Sequence, residues 1–472
     1  MTMTDRAIAA ALAVLVLVAR VAFAAQTLWA WDSVLYARAL EQGFSVGVDL
    51  ADQRPHPPGY LFYLGVAALI RFVTRDSNAA LVAVSVIASA LTAAAVYLLC
   101  RRWADRALAA VIALGAASAP LVWTYGEVAM PYAVLGLLSV VLAASLREAR
   151  SRPWPAALVA SAGLGLAAGF RQDLLLLLGP LWLWMLAARS WRERGLCVVA
   201  VGVAALAWLG PSASLSGGPG AYLATLGAQA SRVSELSPAA GSDALLRNTL
   251  LTVYALWWGL LGFALLLVTA LVARVLARRR PGRDAAFFAL WLMPATLVYV
   301  TIHIGDPGYL MSVLPGLYVA CAALLAPTAA KAPRAAVAFA ALLVAINIAV
   351  FVVSDAPFSA RAIASHDRSL DERVAFVRAH FTPASTAILA QSEYLTARYY
   401  LPEFRVLFYG SEPEVLSRAA QEVRIASPAT AVVIFGALAS PLPPTLRLAS
   451  DGGVAFGSVD AGTLVAYDLE PR

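Results

Sequence analysis

Residues 78–106 read NAALVAVSVIASALTAAAVYLLCRRWADR: 23 uncharged, mostly apolar positions, then three arginines within six. As a helix the first part would be about 34 Å long, enough to cross a hydrocarbon core of roughly 30 Å, and the arginines would stop it at a cytoplasmic face. Working outward, further apolar segments follow the same plan at 7–30, 58–73, 107–123, 129–146, 155–170, 174–188, 195–211, 248–273, 285–302, 307–326 and 335–353. The connections Arg101–Arg106, Arg147–Arg152, Arg189–Arg194, Arg274–Arg283 and Lys331–Arg334 hold 16 of the 19 basic residues between 78 and 353. They are every second connection, as the positive-inside rule requires of a polytopic membrane protein whose basic loops all face the cytoplasm.

The outer side then receives the turns Tyr125–Ala129, Arg171–Asp173 and His303–Asp306, the long loop 212–247, and everything after residue 353. Segment 58–73 makes about 24 Å of helix, short for a span. It is assigned to the outer side as a juxtamembrane helix behind an outer loop at 31–57, giving a helical bundle of about eleven spans. The other arrangement puts the N-terminus outside and lets 58–73 cross. Arg6 and the run Ala7–Ala30 are longer than the roughly 7 to 15 apolar residues of a signal peptide and read as a retained first span.

With 61% apolar and 13% charged residues over 472 positions and a mean hydropathy of +0.76, the chain takes the bilayer as its solvent. The net charge of +7 does not point to nucleic acid, because residues from 354 onward carry 10 Arg against 13 Asp and Glu. The basic excess lies in the membrane part and sets orientation. Cys100, Cys197 and Cys321 lie within or beside apolar runs, without the spacing of metal ligands or disulfides.

The composition divides the chain into a transmembrane domain at 1–353 and a small C-terminal α/β domain at 354–472, displayed extracytoplasmically. In the latter the pattern predicts a helix at His366–His380 behind an Asp367 cap. It predicts buried strands at Thr386–Ala390, Arg405–Tyr409 and Ala431–Phe435, a helix at Glu412–Val423, and a hairpin over Val454–Tyr467 turning near Gly462.

The polar stretch Trp31–Pro57 concentrates Asp32, Glu41, Asp49, Asp52, Arg54 and His56 beside apolar helices, where charges are costly unless paired, solvated or used. Asp32 follows the first span directly, in Trp31-Asp32-Ser33-Val34-Leu35-Tyr36, and His56-Pro57-Pro58-Gly59-Tyr60 opens the short helix. An Asp in that place followed by His-Pro-Pro-Gly-Tyr resembles the GT-C membrane glycosyltransferases, nearest to the protein O-mannosyltransferase-like group and the aminoarabinose transferases of bacterial lipid A. The resemblance covers most of the chain in its order of elements: a catalytic first outer loop, an acidic second outer loop, a long bundle and an extracytoplasmic C-terminal domain.

The resemblance implies an inverting transfer of a sugar from a polyprenyl-phosphate carrier to an extracytoplasmic acceptor, a protein hydroxyl, lipid or glycan, in a bacterial inner membrane. Asp32 would be the base, or a carboxylate on a divalent metal such as Mg or Mn, with Asp49 and Asp52 as further candidate ligands. Glu127, the lone charge between Arg106 and Arg147, stands where the family keeps an Asp and would be the second catalytic carboxylate. The leaving phosphate would need cations: Arg171 first, then Arg54 and His56, with His303 and Tyr309 of the late-span segment near the donor. A plainer reading makes Arg171 an interfacial residue paired with Asp173, and Arg20 a snorkelling residue. The competing class is a polytopic transporter of a small or lipid-linked solute, which would gather its charges at mid-membrane and show repeated halves. Here the ionisable groups gather at outer turns and no repeat is seen.

Overall fold

The structure, a computed structural model, describes the chain except residues 1, 49–52, 236, 239–240, 277–283, 409–420, 425–429, 437–446, 452–453, 459–464 and 469–472. It forms two compact units, Met1–Ala24 with Tyr60–Ile363, and Ala25–Gly59 with Ala364–Arg472. The composition boundary at 353/354 separates apolar from polar sequence. Compactness instead groups the first outer loop with the C-terminal segment.

The first unit is helical. Helices Ser77–Cys100, Tyr132–Ala149, Trp154–Ala167, Asp173–Leu186, Trp191–Leu215, Ala285–Thr301, Leu314–Ala329 and Pro333–Val353 match the apolar segments, whereas the first helix, Met3–Val21, stops short of the expected 7–30 and leaves 22–30 non-helical. The segment at 107–123 forms Arg106–Ser118 and Pro120–Tyr125, parted at Ala119 just before Pro120. The juxtamembrane segment is the 14-residue helix Leu61–Thr74. Two further expectations change. The run 248–273, read as one span, is two helices, Ser242–Leu260 and Gly262–Leu276, bent by 102° where Leu261 takes a positive φ of 44°. The 212–247 loop is largely helical, since Trp191–Leu215 runs into it and Pro219–Glu235 follows.

Small residues let the helices close up where the bilayer provides no hydrophobic drive: Val16, Ala90, Ala93 and Ala117 form one such contact. Basic connections meet at a common set of helix ends. Asp5 accepts from Arg101 and Arg106, Arg102 pairs with Glu148, and Arg147 pairs with Asp284. Arg189 donates to the carbonyls of Ala149 and Arg152.

The second unit is a mixed sheet with helices. Strands β1 (Thr386–Ala390), β2 (Arg405–Phe408), β3 (Gln421–Arg424), β4 (Ala431–Phe435), β5 (Arg447–Asp451), β6 (Val454–Ser458) and β7 (Val465–Asp468) take the order β3-β7-β2-β1-β4-β6-β5. The central β1 is parallel to β2 and to β4, and its uninterrupted Ala387-Ile388-Leu389-Ala390 is fully buried, as a strand covered on both faces requires. The outer pairs are antiparallel.

The 454–467 hairpin does not form: β6 pairs with β4 and β5, whereas β7 pairs with β2 and β3 on the other side of the sheet. Of the predicted helix at 412–423, residues 412–420 lie outside the described residues and 421–423 belong to β3. The helix at 366–380 starts earlier, at Ala360, so Asp367 is not its cap. Of Val374, Phe376 and Val377, which the apolar pattern turns inward, Val374 and Val377 are buried and Phe376 is half-buried.

Candidate functional site

Turns of the first unit converge on Arg171. The residue lies between helices Trp154–Ala167 and Asp173–Leu186, in a turn drawn close to the juxtamembrane helix by Phe62 N–H donating to the Gly169 carbonyl at 3.0 Å. Any Cβ at Gly169 would come within 2.5 Å of the Phe62 ring, so only glycine permits that approach. Arg171 is 5% exposed. Its Nε donates to Asp173 Oδ2 at 2.9 Å, and its guanidinium carbon lies 4.4 Å from the Tyr309 ring centroid, 5.0 Å from Tyr132 and 6.0 Å from Tyr60. Burial opposes the charge, but Asp173 and the three phenols hold the guanidinium well above its ordinary value.

Among the described residues, none accepts a hydrogen bond from the two terminal nitrogens of Arg171, and Asp173 Oδ1 is buried without a partner. The site is therefore a buried fork with four N–H donors still available, walled by aromatic rings. Another of these turns is braced by Asp306, which accepts from Tyr125 Oη and, at 2.7 Å, from the Gly308 amide, so that Pro307–Ser312 opens as a short 3₁₀ helix carrying Tyr309. His303 stands beside it, its ring centroid 6.4 Å from that of Tyr309.

Glu127 lies elsewhere in the same unit and is fully buried. Its Oε1 accepts from Trp123 Nε1 at 2.6 Å, and Oε2 has no hydrogen-bond partner among the described residues. Burial pushes its carboxyl above the ordinary value, while Arg20 and the Trp123 bond draw it back. Arg20 does not snorkel. It is 1% exposed, donates from Nε to Ser89 Oγ at 3.0 Å, and lies 4.8 Å over Trp123, because its position on the first helix faces the neighbouring helices.

Asp32 and His56 belong to the second unit. Asp32 is in the first turn of helix Trp31–Gln42, where the positive end of the helix dipole favours a carboxylate. Its Oδ1 lies 3.9 Å from His56 Nε2, with the two side chains 34% and 33% exposed respectively. His56 Nδ1 is buried without a partner among the described residues, and Arg54 is exposed. Asp49 and Asp52 lie outside the described residues. No three His, Cys, Asp or Glu side chains converge among the described residues. Asp32 and His56 supply one carboxylate and one imidazole, and the other carboxylates expected to join Asp32 on a divalent metal, Asp49 and Asp52, are outside the described residues.

Arg171 and Tyr309 are thus brought together, with His303 adjacent, and Asp32 meets His56. The sequence reading missed Tyr132 and Tyr60 as walls of the Arg171 site. The available signal was positional: each stands beside the start of a helix at an outer turn, just after a proline or glycine.

Against known structures the chain matches an ArnT, an aminoarabinose transferase, from Cupriavidus metallidurans bound to undecaprenyl phosphate. The TM-score is 0.63 at 15% identity, over 98% of this chain and 99% of that one. The apo form of that protein gives 0.59 at 16% identity, over 95% and 96%. The archaeal oligosaccharyltransferase AglB from Archaeoglobus fulgidus, in complex with an inhibitory peptide and a dolichol-phosphate, gives 0.52 at 12% identity, over 86% of this chain and 64% of that one. No protein-family model matches the sequence, and no curated protein sequence is significantly similar. At these identities the likeness shows the fold alone, a fold this chain shares with both of those solved proteins.

Proposed function

We propose that this GT-C fold works as an inverting glycosyltransferase, moving a sugar from a polyprenyl-phosphate carrier to an acceptor hydroxyl on the extracytoplasmic side of a bacterial inner membrane. The observation that carries the reading is the Arg171 fork, a buried cation with unclaimed donors in a chain whose fold neighbours have polyprenyl phosphates bound. A phosphate monoester leaving group matches that arrangement of charge and donors.

In the proposed reaction Asp32 takes the acceptor hydroxyl proton as the oxygen bonds to the anomeric carbon from the face opposite the phosphate. The carbon–oxygen bond to the carrier breaks with its electron pair going to the phosphate, whose added charge the Arg171 N–H groups stabilise. His56 orients or charge-balances Asp32. Displacement without a covalent sugar intermediate inverts the anomeric centre. Glu127, deeply buried and held by the Trp123 indole N–H, is given no proton-transfer step in this reaction. A transport reading would need charged groups at the broken helix, but the 102° bend falls at Leu261.

Purified protein incubated with a panel of polyprenyl-phosphate sugars and hydroxyl acceptors should release polyprenyl phosphate with appearance of glycosylated acceptor. Solute flux across sealed vesicles with no carrier phosphate released would overturn the proposal.

A further inference from the structure

Within the second unit, the segment that delivers Asp32 is held from a helix more than 300 residues later in sequence. Asp367, 8% exposed on helix Ala360–His380, accepts three hydrogen bonds: from Gln26 N–H to Oδ2 at 2.9 Å, from Thr27 N–H to Oδ1 at 3.0 Å, and from the Thr27 hydroxyl to Oδ1 at 2.5 Å. The grip continues toward Asp32. Leu28 N–H donates to Tyr400 Oη at 2.9 Å, the Leu28 carbonyl lies 3.2 Å from His366 Nε2, Trp29 packs on the His366 ring at 4.8 Å, and Trp31 Nε1 donates to the Ser392 carbonyl. Asp32 is the next residue.

An aspartate in a helix interior is unfavourable for the helix, and burying its charge costs more unless donors are supplied. Here two backbone amides and a hydroxyl supply them, all from the bend that leads into helix Trp31–Gln42. We propose that Asp367 is a positioning residue: its carboxylate fixes the start of the Asp32 helix, and with it where the Asp32 carboxylate points. The inference rests on Asp32 being the base. Charge-assisted bonds to two successive amides define both the height and the rotation of the segment, which a single contact would not.

The test uses the full-length protein. Asp367→Asn keeps the size but turns one acceptor oxygen into an amino group facing an N–H, so kcat should fall by about 10- to 100-fold, the order expected for an ångström-scale misplacement, with donor KM within about threefold. Thr27→Val removes the hydroxyl alone and should lower kcat by less. Thr27→Ser should restore it, and Asp371→Asn, exposed on the same helix, should leave turnover unchanged. In an Asp32→Asn background, Asp367→Asn should cost nothing further, because both changes act through one group. Wild-type kcat in Asp367→Asn while Asp32→Asn is inactive overturns the clamp and leaves the base assignment standing. Full turnover in Asp32→Asn overturns the base and the clamp with it. A kcat loss in Asp367→Asn that persists in the Asp32→Asn background, or disappears on cooling in step with thermal stability, assigns Asp367 a merely structural role and also refutes the proposal.

Discussion

Replacing Arg171 separates a phosphate clamp from an interfacial ion pair. The guanidinium spends Nε on Asp173 and keeps two terminal nitrogens free of acceptors among the described residues. If each donates one charge-assisted bond to a phosphate oxygen, at about 1.5–3 kcal/mol per bond, Arg171→Ala loses about 3–6 kcal/mol of donor affinity. At about 1.4 kcal/mol per tenfold, donor KM should rise by at least 10²-fold. Lysine keeps the charge but offers no planar fork, so Arg171→Lys should recover one bond and remain about 10-fold or more above wild type. The stacked rings of Tyr309 and Tyr132 also lose a cation partner, a stability cost of about 0.5–2 kcal/mol, so thermal midpoints must be recorded beside the kinetics. The assay is initial-rate release of polyprenyl phosphate against donor concentration in detergent or proteoliposomes. A donor KM within threefold of wild type for the Ala variant, or full recovery by Lys, refutes the clamp.

Asp32→Asn should lower kcat by about 10²- to 10⁴-fold with unchanged expression and melting, as expected for loss of a general base, and normal turnover would remove that assignment. In Gly308→Ala the new methyl would overlap the Tyr132 ring and push it off Arg171; the expected cost is about 1–3 kcal/mol of thermal stability with a raised donor KM, and an unchanged KM would show that the ring wall is dispensable. The three native cysteines are buried, so single cysteines can be read against a quiet background. Ser231→Cys should react with an impermeant reagent applied outside while Ser151→Cys is shielded; the reverse labelling would invert the topology. Ser45→Cys should also react from outside, and protection there would separate Asp32 from the outer turns.

The bundle was legible because hydrophobic length and arginine placement are each set by the bilayer, and they agree over most segments. The bend at Leu261 was not: Trp257 to Phe263 is as apolar as an unbroken span, and only the backbone reveals the turn. Strands β1 and β4 were legible as continuous apolar runs bounded by polar residues. The partner of β6 was not, since a turn-forming glycine near 462 suits a hairpin whichever strand lies beside it. Asp32 with His56, and Arg171, stood out as charges beside apolar sequence. Tyr60 and Tyr132 did not, because a tyrosine at a membrane-end turn has an ordinary reason to be there. Asp367 was misread as a local cap because its donors, Gln26 and Thr27, are remote in sequence.

That remoteness has a consequence for biogenesis. Residues 25–59 are made well before the rest of their compact unit, which resumes at Ala364. At about 5–20 residues per second, roughly 300 intervening residues take about 15–60 s to synthesise, so the loop bearing Asp32 waits that long for its partner. A nascent chain with every membrane helix already inserted would still lack an ordered Asp32 segment. The Asp32 segment therefore gains its partners only after the residues from Ala364 onward have been made.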